Sequence, residues 1–306
     1  MRFAVLDLGT NTFHLLIAER EPTGQWRTLV REKRFVKLAE EGIERIGEAS
    51  FARGLDALQA FKAQLDVHDV SPAAIRAFGT AALRTAVNAP EFLEQAFALT
   101  GIRPQSIPGD REAALIHRGV RQAVPFPDHR VLIMDIGGGS VEFIIADREQ
   151  VWWQQSFPLG VAVLYRDFHH HDPITALEIV RLEAFLEVSL TDLWAAVDQF
   201  PAPALVGASG TFDVIDKFLL DPATKAALYG YHELATFEPL YNLLVKSTMA
   251  ERRALPKLPE DRVEMIVVAM VLIRYVLQRV DIQEMYTSAY ALKEGMLAEL
   301  AEGTRA

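Results

Sequence analysis

The sequence contains no cysteine. Disulfides, thiolate nucleophiles and cysteine-zinc sites are excluded, so any chemistry must rest on oxygen, nitrogen or a bound hard metal. Basic residues are outnumbered: 31 Lys and Arg stand against 41 Asp and Glu, for a net charge of −10. That balance argues against nucleic acid or an anionic membrane as partner, because a basic face supplies most of the affinity for either. It leaves room for a polyanionic substrate held by a few cations lining one cleft. Long apolar runs are lacking too. The longest, residues 263–280, is interrupted by Glu264, Arg274 and Arg279, which predicts a buried helix rather than a membrane span. The opening MRFAVLDLG has no charged, apolar, small-residue succession of a secretion signal, and a cytoplasmic location is expected.

What is present is an ordinary globular balance, 50% apolar and 24% charged, which predicts a folded chain with little disorder. At 306 residues, two lobes with separate cores are expected. Residues 5–19 read VLDLGTNTFHLLIAE, two β-rich runs around a short turn, and predict a hairpin. A similar unit returns at residues 131–146 as VLIMDIGGGSVEFIIA. The separation far exceeds the about 20–50 residues of stacking repeats, so the pattern reads as a duplication of whole lobes. Helical periodicity is expected over 51–65, 89–98 and 111–120, with a short strand at 75–78. A long helix over 175–200, a strand and turn over 204–211, and helices over 262–280 and 290–301 complete the second lobe. The Pro-rich stretch 124–128 sets the expected boundary, giving lobes 1–126 and 127–306. The fold class is α/β, with a cleft between lobes.

The strongest local signal is Asp135-Ile136-Gly137-Gly138-Gly139-Ser140-Val141-Glu142. Gly137, Gly138 and Gly139 at a strand end let backbone N–H groups approach an anion, and Ser140 adds a hydroxyl. Asp135 emerges where a carboxylate holds Mg²⁺ beside phosphate oxygens. A plain glycine-rich hairpin turn is the alternative for this stretch alone. Its echo around Asp7, with Thr10, Asn11 and Thr12, favours two loops clamping one phosphate chain. A third glycine turn, Gly207 to Gly210 and Thr211, reads either as a phosphate or nucleotide contact or as a simple strand-to-helix turn. His169-His170-His171 is not read as a metal site, because consecutive side chains diverge. Arg34, Lys37, Arg118, Arg121 and Arg262 are candidates for a basic path along a long substrate.

These loops resemble those of the actin, hexokinase and sugar-kinase superfamily. More closely, the chain resembles the Ppx/GppA family of exopolyphosphatases and guanosine pentaphosphate phosphohydrolases. The likeness runs through DLGTNTFHLLIA, GTAALRTAVN at 79–88, PGDREAALIHRGV at 108–120, DIGGGSVE, PLGVAVL at 158–164, GASGTF and SAYALKEGML at 288–297. It implies two actin-like, ribonuclease H-like lobes, a Mg²⁺ or Mn²⁺ cofactor and, by analogy, a homodimer. The family's general base falls on Glu112, which on the residues alone reads as a surface-helix glutamate. A carboxylate there would orient and deprotonate the attacking water. The resemblance also makes Arg84 a phosphate-binding guanidinium and Asp135 the metal carboxylate. Glu142 orders metal-bound water or is a structural strand residue. Three positions depart from the family pattern as an arginine, an acidic residue and an arginine are replaced by His14, Ala289 and Lys293.

The resemblance implies release of orthophosphate from the end of inorganic polyphosphate, with 5′-phosphate removal from guanosine pentaphosphate as the near alternative. An ATP-dependent kinase and a non-catalytic polyphosphate or alarmone sensor are the more distant readings. The length resembles the family's short two-domain form, for which weak processivity on long chains is expected.

Overall fold

A computed structural model describes residues 1–21, 25–221 and 228–303. The chain divides into two compact units, Met1–Gly119 with Leu292–Ala306, and Val120–Ala291. The expected lobes of 1–126 and 127–306 differ from this at both ends. The division falls inside a helix, and the last helix belongs to the first unit. That helix lies along the first strand, which is why it groups there.

In the first unit the order is β1 (Arg2–Leu8), β2 (Thr12–Arg20), β3 (Trp26–Phe35), α1 (Glu48–Val67), β4 (Ile75–Gly79), α2 (Ala81–Thr85), α3 (Ala89–Thr100), β5 (Gln105–Ser106) and α4 (Gly109–Ala123). The second runs β6 (Val131–Ile136), β7 (Val141–Ala146), β8 (Val151–Phe157), α5 (Val161–Phe168), α6 (Ala176–Ser189), α7 (Thr191–Gln199), β9 (Ala204–Ala208), α8 (Gly210–Leu219) and β10 (Tyr229–His232). It continues with α9 (Leu234–Lys246), α10 (Met249–Arg253), α11 (Glu260–Val263), α12 (Ile266–Arg279) and β11 (Glu284–Ser288), and α13 (Leu292–Gly303) returns to the first unit.

The two sheets have one plan. The first is ordered β3-β2-β1-β4-β5, the second β8-β7-β6-β9-β11 with β10 added at the edge. In each, three antiparallel strands lead to two parallel ones. The expected hairpins are β1–β2 and β6–β7, paired in equivalent register: Asp7 opposes His14, and Asp135 opposes Glu142. Their central strands are buried on both faces, as continuous Val, Ile and Leu runs require. The outer strands β3 and β8 leave no clear strand pattern in the sequence because their charged and polar residues, such as Arg27, Arg31, Lys33 and Gln154, interrupt the apolar alternation. Edge strands commonly carry such residues.

Two expected helices are broken. The helix expected over 175–200 stops at Leu190 and restarts as α7. Thr191 Oγ1 donates to the Val188 carbonyl at 2.7 Å and Trp194 Nε1 to that of Glu187 at 2.9 Å. These side chains take acceptors that a continuing helix would use. In the same way, Arg252 Nε donates to the Val263 carbonyl at 2.9 Å, and the helix expected over 262–280 becomes α11 and α12. Residues Ile266 to Ile273 of α12 are all buried, the mark of a core helix. No helix among the described residues is long and apolar enough to cross a membrane.

α6 begins with a capping box, Thr175 Oγ1 accepting the Glu178 amide while Glu178 accepts the Thr175 amide at 2.7 Å. The His170 amide and His171 Nδ1 reach the same carboxylate at 2.8 and 3.0 Å, so the histidine run serves this cap. Burial alone would raise the Glu178 pKa, but the hydrogen bonds from Thr175, His171 and His170 outweigh it and hold the carboxyl far below its usual range. A depressed folded-state pKa contributes stability above the ordinary carboxylate value of about 4.3, which is lost as pH falls below it. Glu178→Gln is expected to cost about 2 kcal/mol near neutral pH. Urea unfolding across pH should show that difference shrinking below about pH 4.

Candidate active site

The two hairpin loops repeat one geometry. A Cβ on Gly9 would lie 2.9 Å from the Thr12 carbonyl oxygen, and one on Gly137 2.9 Å from that of Ser140. Both turns are closed too tightly for any side chain at that position. In the first unit, Thr10 is 2% exposed. Its hydroxyl accepts the Ala82 amide at 3.2 Å, and its carbonyl the Leu38 amide at 2.7 Å. The Asn11 carbonyl accepts the amides of Val36 and Lys37, each at 3.0 Å. The loop carrying Thr10, Asn11 and Thr12 is thus tied to the segment after β3 and to the start of α2.

That anchoring also places Arg84, on α2. Its Nη1 donates to the Ile107 carbonyl at 2.9 Å and to Glu112 Oε2 at 3.0 Å. Glu112 stands in the first turn of α4, its amide bonded to the Pro108 carbonyl at 3.0 Å. It is only 6% exposed, so it is not the surface glutamate that its helical context suggested. Two candidates 28 residues apart are joined in one part-buried ion pair. The other nitrogens of Arg84 have no acceptor among the described residues, leaving a guanidinium edge suited to phosphate oxygens.

In the second unit, Asp135 and Glu142 are direct cross-strand partners, 6% and 1% exposed. Opposed residues share one face of a sheet, and two like charges there are unfavourable without a counter-ion. Glu142 Oε1 accepts hydroxyl hydrogens from Ser140 and Ser156, both at 2.7 Å. The donor set fits a hard cation: two carboxylates from the protein, with water and phosphate supplying the remaining oxygens. Among the described residues no group of three or more carboxylates and histidines is arranged to hold a metal by itself. Beside this pair, the carbonyls of Gly137 and Gly138 accept the first amides of α5, Val161 at 3.0 Å and Ala162 at 2.9 Å. Among the described residues the amides of Gly138 and Gly139 have no protein acceptor, as an anion-binding turn requires. Gly160 permits this docking, because its Cβ would lie 2.4 Å from the Gly138 carbonyl carbon. The Gly160 contribution was not foreseen; its only trace is the PLGV run.

The third turn is strained. Ser209 has φ 69° and ψ −174°, a region that costs a non-glycine residue about 1–3 kcal/mol. Gly210 follows with the Arg262 guanidinium packed directly on it, and Thr211 is buried. The other cations of the expected basic path are engaged elsewhere: Arg34 with Glu32, Arg118 with Glu302, and Arg121 on the Arg148 carbonyl. Lys37 contributes its backbone to the first loop. Ala289 lines a cavity of about 370 Å³ against α8, with Asp213 and Tyr229.

Duplicated sheets of this strand order, each with an Asp-X-Gly hairpin loop, define an α/β protein of the actin-like, ribonuclease H-like class. The sequence model of the Ppx/GppA phosphatase family matches residues 16–303, and the chain belongs to that family. It is similar to an exopolyphosphatase from Cytophaga hutchinsonii ATCC 33406, with 38% identity, a TM-score of 0.94 and coverage of 99% of this chain and 98% of that one. A family member from Aquifex aeolicus shares the fold at 23% identity, with a TM-score of 0.82 over 100% and 99% of the two chains. A curated relative from Photobacterium profundum, named guanosine-5′-triphosphate,3′-diphosphate pyrophosphatase, is 30% identical over 311 residues. That match covers 99% of this chain but 60% of the relative's length.

The Thr10 anchor generates a direct test. Thr10→Val keeps the shape but leaves the buried Ala82 amide without its acceptor, at an expected cost of about 1–3 kcal/mol. Urea denaturation of the two proteins measures it.

Proposed function

We propose that the protein is an exopolyphosphatase, hydrolysing the terminal phosphoanhydride of inorganic polyphosphate and releasing orthophosphate. The observation that carries this reading is the buried Glu112 carboxylate held at 3.0 Å by Arg84. A carboxylate fixed in this way can orient a water and take its proton as the water oxygen bonds to the terminal phosphorus. The bond from that phosphorus to the bridging oxygen breaks, and the shortened chain leaves with the electron pair. The open edge of Arg84, the Thr10 to Thr12 loop, the amides of Gly138 and Gly139, Ser140, and the Gly210–Thr211 turn are assigned to phosphate oxygens. Asp135 and Glu142 would hold Mg²⁺ or Mn²⁺, which when bound neutralises phosphate charge.

Removal of the 5′-terminal phosphate from guanosine pentaphosphate is the second reading, favoured by the name of the Photobacterium relative. The same reacting atoms serve both substrates. A cytoplasmic, homodimeric enzyme is the setting we propose.

Orthophosphate release from medium-chain polyphosphate and from guanosine pentaphosphate, with Mg²⁺, tests the assignment. Glu112→Gln is expected to lower kcat by about 10²–10⁴-fold. A wild-type protein that releases phosphate from neither substrate would overturn the hydrolase reading. The two hydroxyls on Glu142 lead to a separate expectation. Ser156→Ala should raise the Mg²⁺ needed for half-maximal rate by about tenfold, with kcat at saturating metal little changed. Metal titration of the rate checks it.

A further inference from the structure

None of the steps above uses α13, yet α13 is seated on the helix that carries Glu112. The contact is unusually close. A Cβ on Gly295 would lie 1.8 Å from the carbonyl oxygen of Leu115, 2.7 Å from its carbonyl carbon and 3.2 Å from the Gly119 amide nitrogen. Leu115 and Gly119 are one turn apart on α4, and Leu115 lies three residues beyond Glu112. Only a glycine lets the two helices cross at this separation. Two ion pairs also join the helices, Arg111 with Glu299 and Arg118 with Glu302. α13 is itself held in place: Glu294, 5% exposed, accepts from Arg31 of β3 at 2.9 Å, and the helix lies along β1.

Arg84 stands on α2, and its second bond is to the Ile107 carbonyl in the segment that leads into α4. The distance between Arg84 and Glu112 therefore depends on where α4 sits, and the crossing at Gly295 with its two ion pairs is one restraint on that seat. We propose that Gly295 and Glu299 are positioning residues for the general base: the α13 crossing sets the seat of α4 and so brings Glu112 to its hydrogen-bonding distance from Arg84. This rests on the reading of Glu112 as the base.

Gly295→Ala places a methyl group against the Leu115 carbonyl and must move one helix. Displacement of a catalytic group by about 1 Å can cost about 10²-fold in rate, so kcat on polyphosphate is expected to fall at least about tenfold, with KM changed far less. The acidic limb of kcat/KM against pH should also move to higher pH, because a carboxylate drawn away from a guanidinium loses the charge that favours its ionised form. A loss of folded protein alone would lower the amount of active enzyme without moving that limb. Glu299→Gln, at a partly exposed site, keeps the experiment decisive if Gly295→Ala does not fold. It should shift rate and limb in the same direction by a smaller factor, and the charge swap Arg111→Glu with Glu299→Arg should restore both. Wild-type kcat and pH profile in Gly295→Ala and Glu299→Gln, beside an inactive Glu112→Gln, would overturn the inference alone. A fully active Glu112→Gln would overturn the reading of the base and this inference with it.

Discussion

Both hairpin loops turn their carbonyl oxygens inward, and much of the rest follows from that commitment. In the first unit the Thr10 and Asn11 carbonyls accept the amides of Val36, Lys37 and Leu38; in the second those of Gly137 and Gly138 accept the amides of Val161 and Ala162. Buried backbone acceptors must be satisfied, so these bonds fix the planes of the loop peptides and with them the direction of the opposite N–H edges. The same bonds seat the start of α5 and the segment leaving β3. The N–H edge of each loop and the packing behind it are thus two sides of one set of peptide groups.

The duplicated loops have nevertheless divided their chemistry. Asp7 and Asp135 occupy equivalent strand positions, but the residue across the ladder is His14 in one unit and Glu142 in the other. At these two equivalent positions, a cross-strand pair of carboxylates occurs in the second unit. The first has instead the Arg84–Glu112 ion pair. The carboxylate pair and the ion pair thus sit in different units, each built on the same strand order.

The sequence revealed the hairpins readily, because buried strands such as β6 and β7 are unbroken apolar runs and their turns contain glycines that nothing else explains. It also exposed the site residues as types: a carboxylate at a strand end, a glycine loop, an arginine near an apolar triplet. Their pairings were hidden. The bond between Arg84 and Glu112 joins α2 to α4, and the Ser156 hydroxyl reaches Glu142 from the neighbouring strand; neither contact leaves a periodicity. The interruptions at Leu190 and after Val263 were equally illegible, since each arises when a distant or bulky side chain takes a helical carbonyl. Local propensity favours continuation there, and a tertiary hydrogen bond overrides it.

The placement of α13 gives the chain an unusual order of assembly. The second unit is inserted within the first, between Gly119 and Leu292, and β1 is covered by the helix most distant from it in sequence. During synthesis the earliest strand therefore emerges without the partner that buries one of its faces. The second unit, contiguous in sequence, has all its elements available sooner. Completion of the earlier-made half must wait until α13 has been made, and α4 acquires its contact with α13 in the same step.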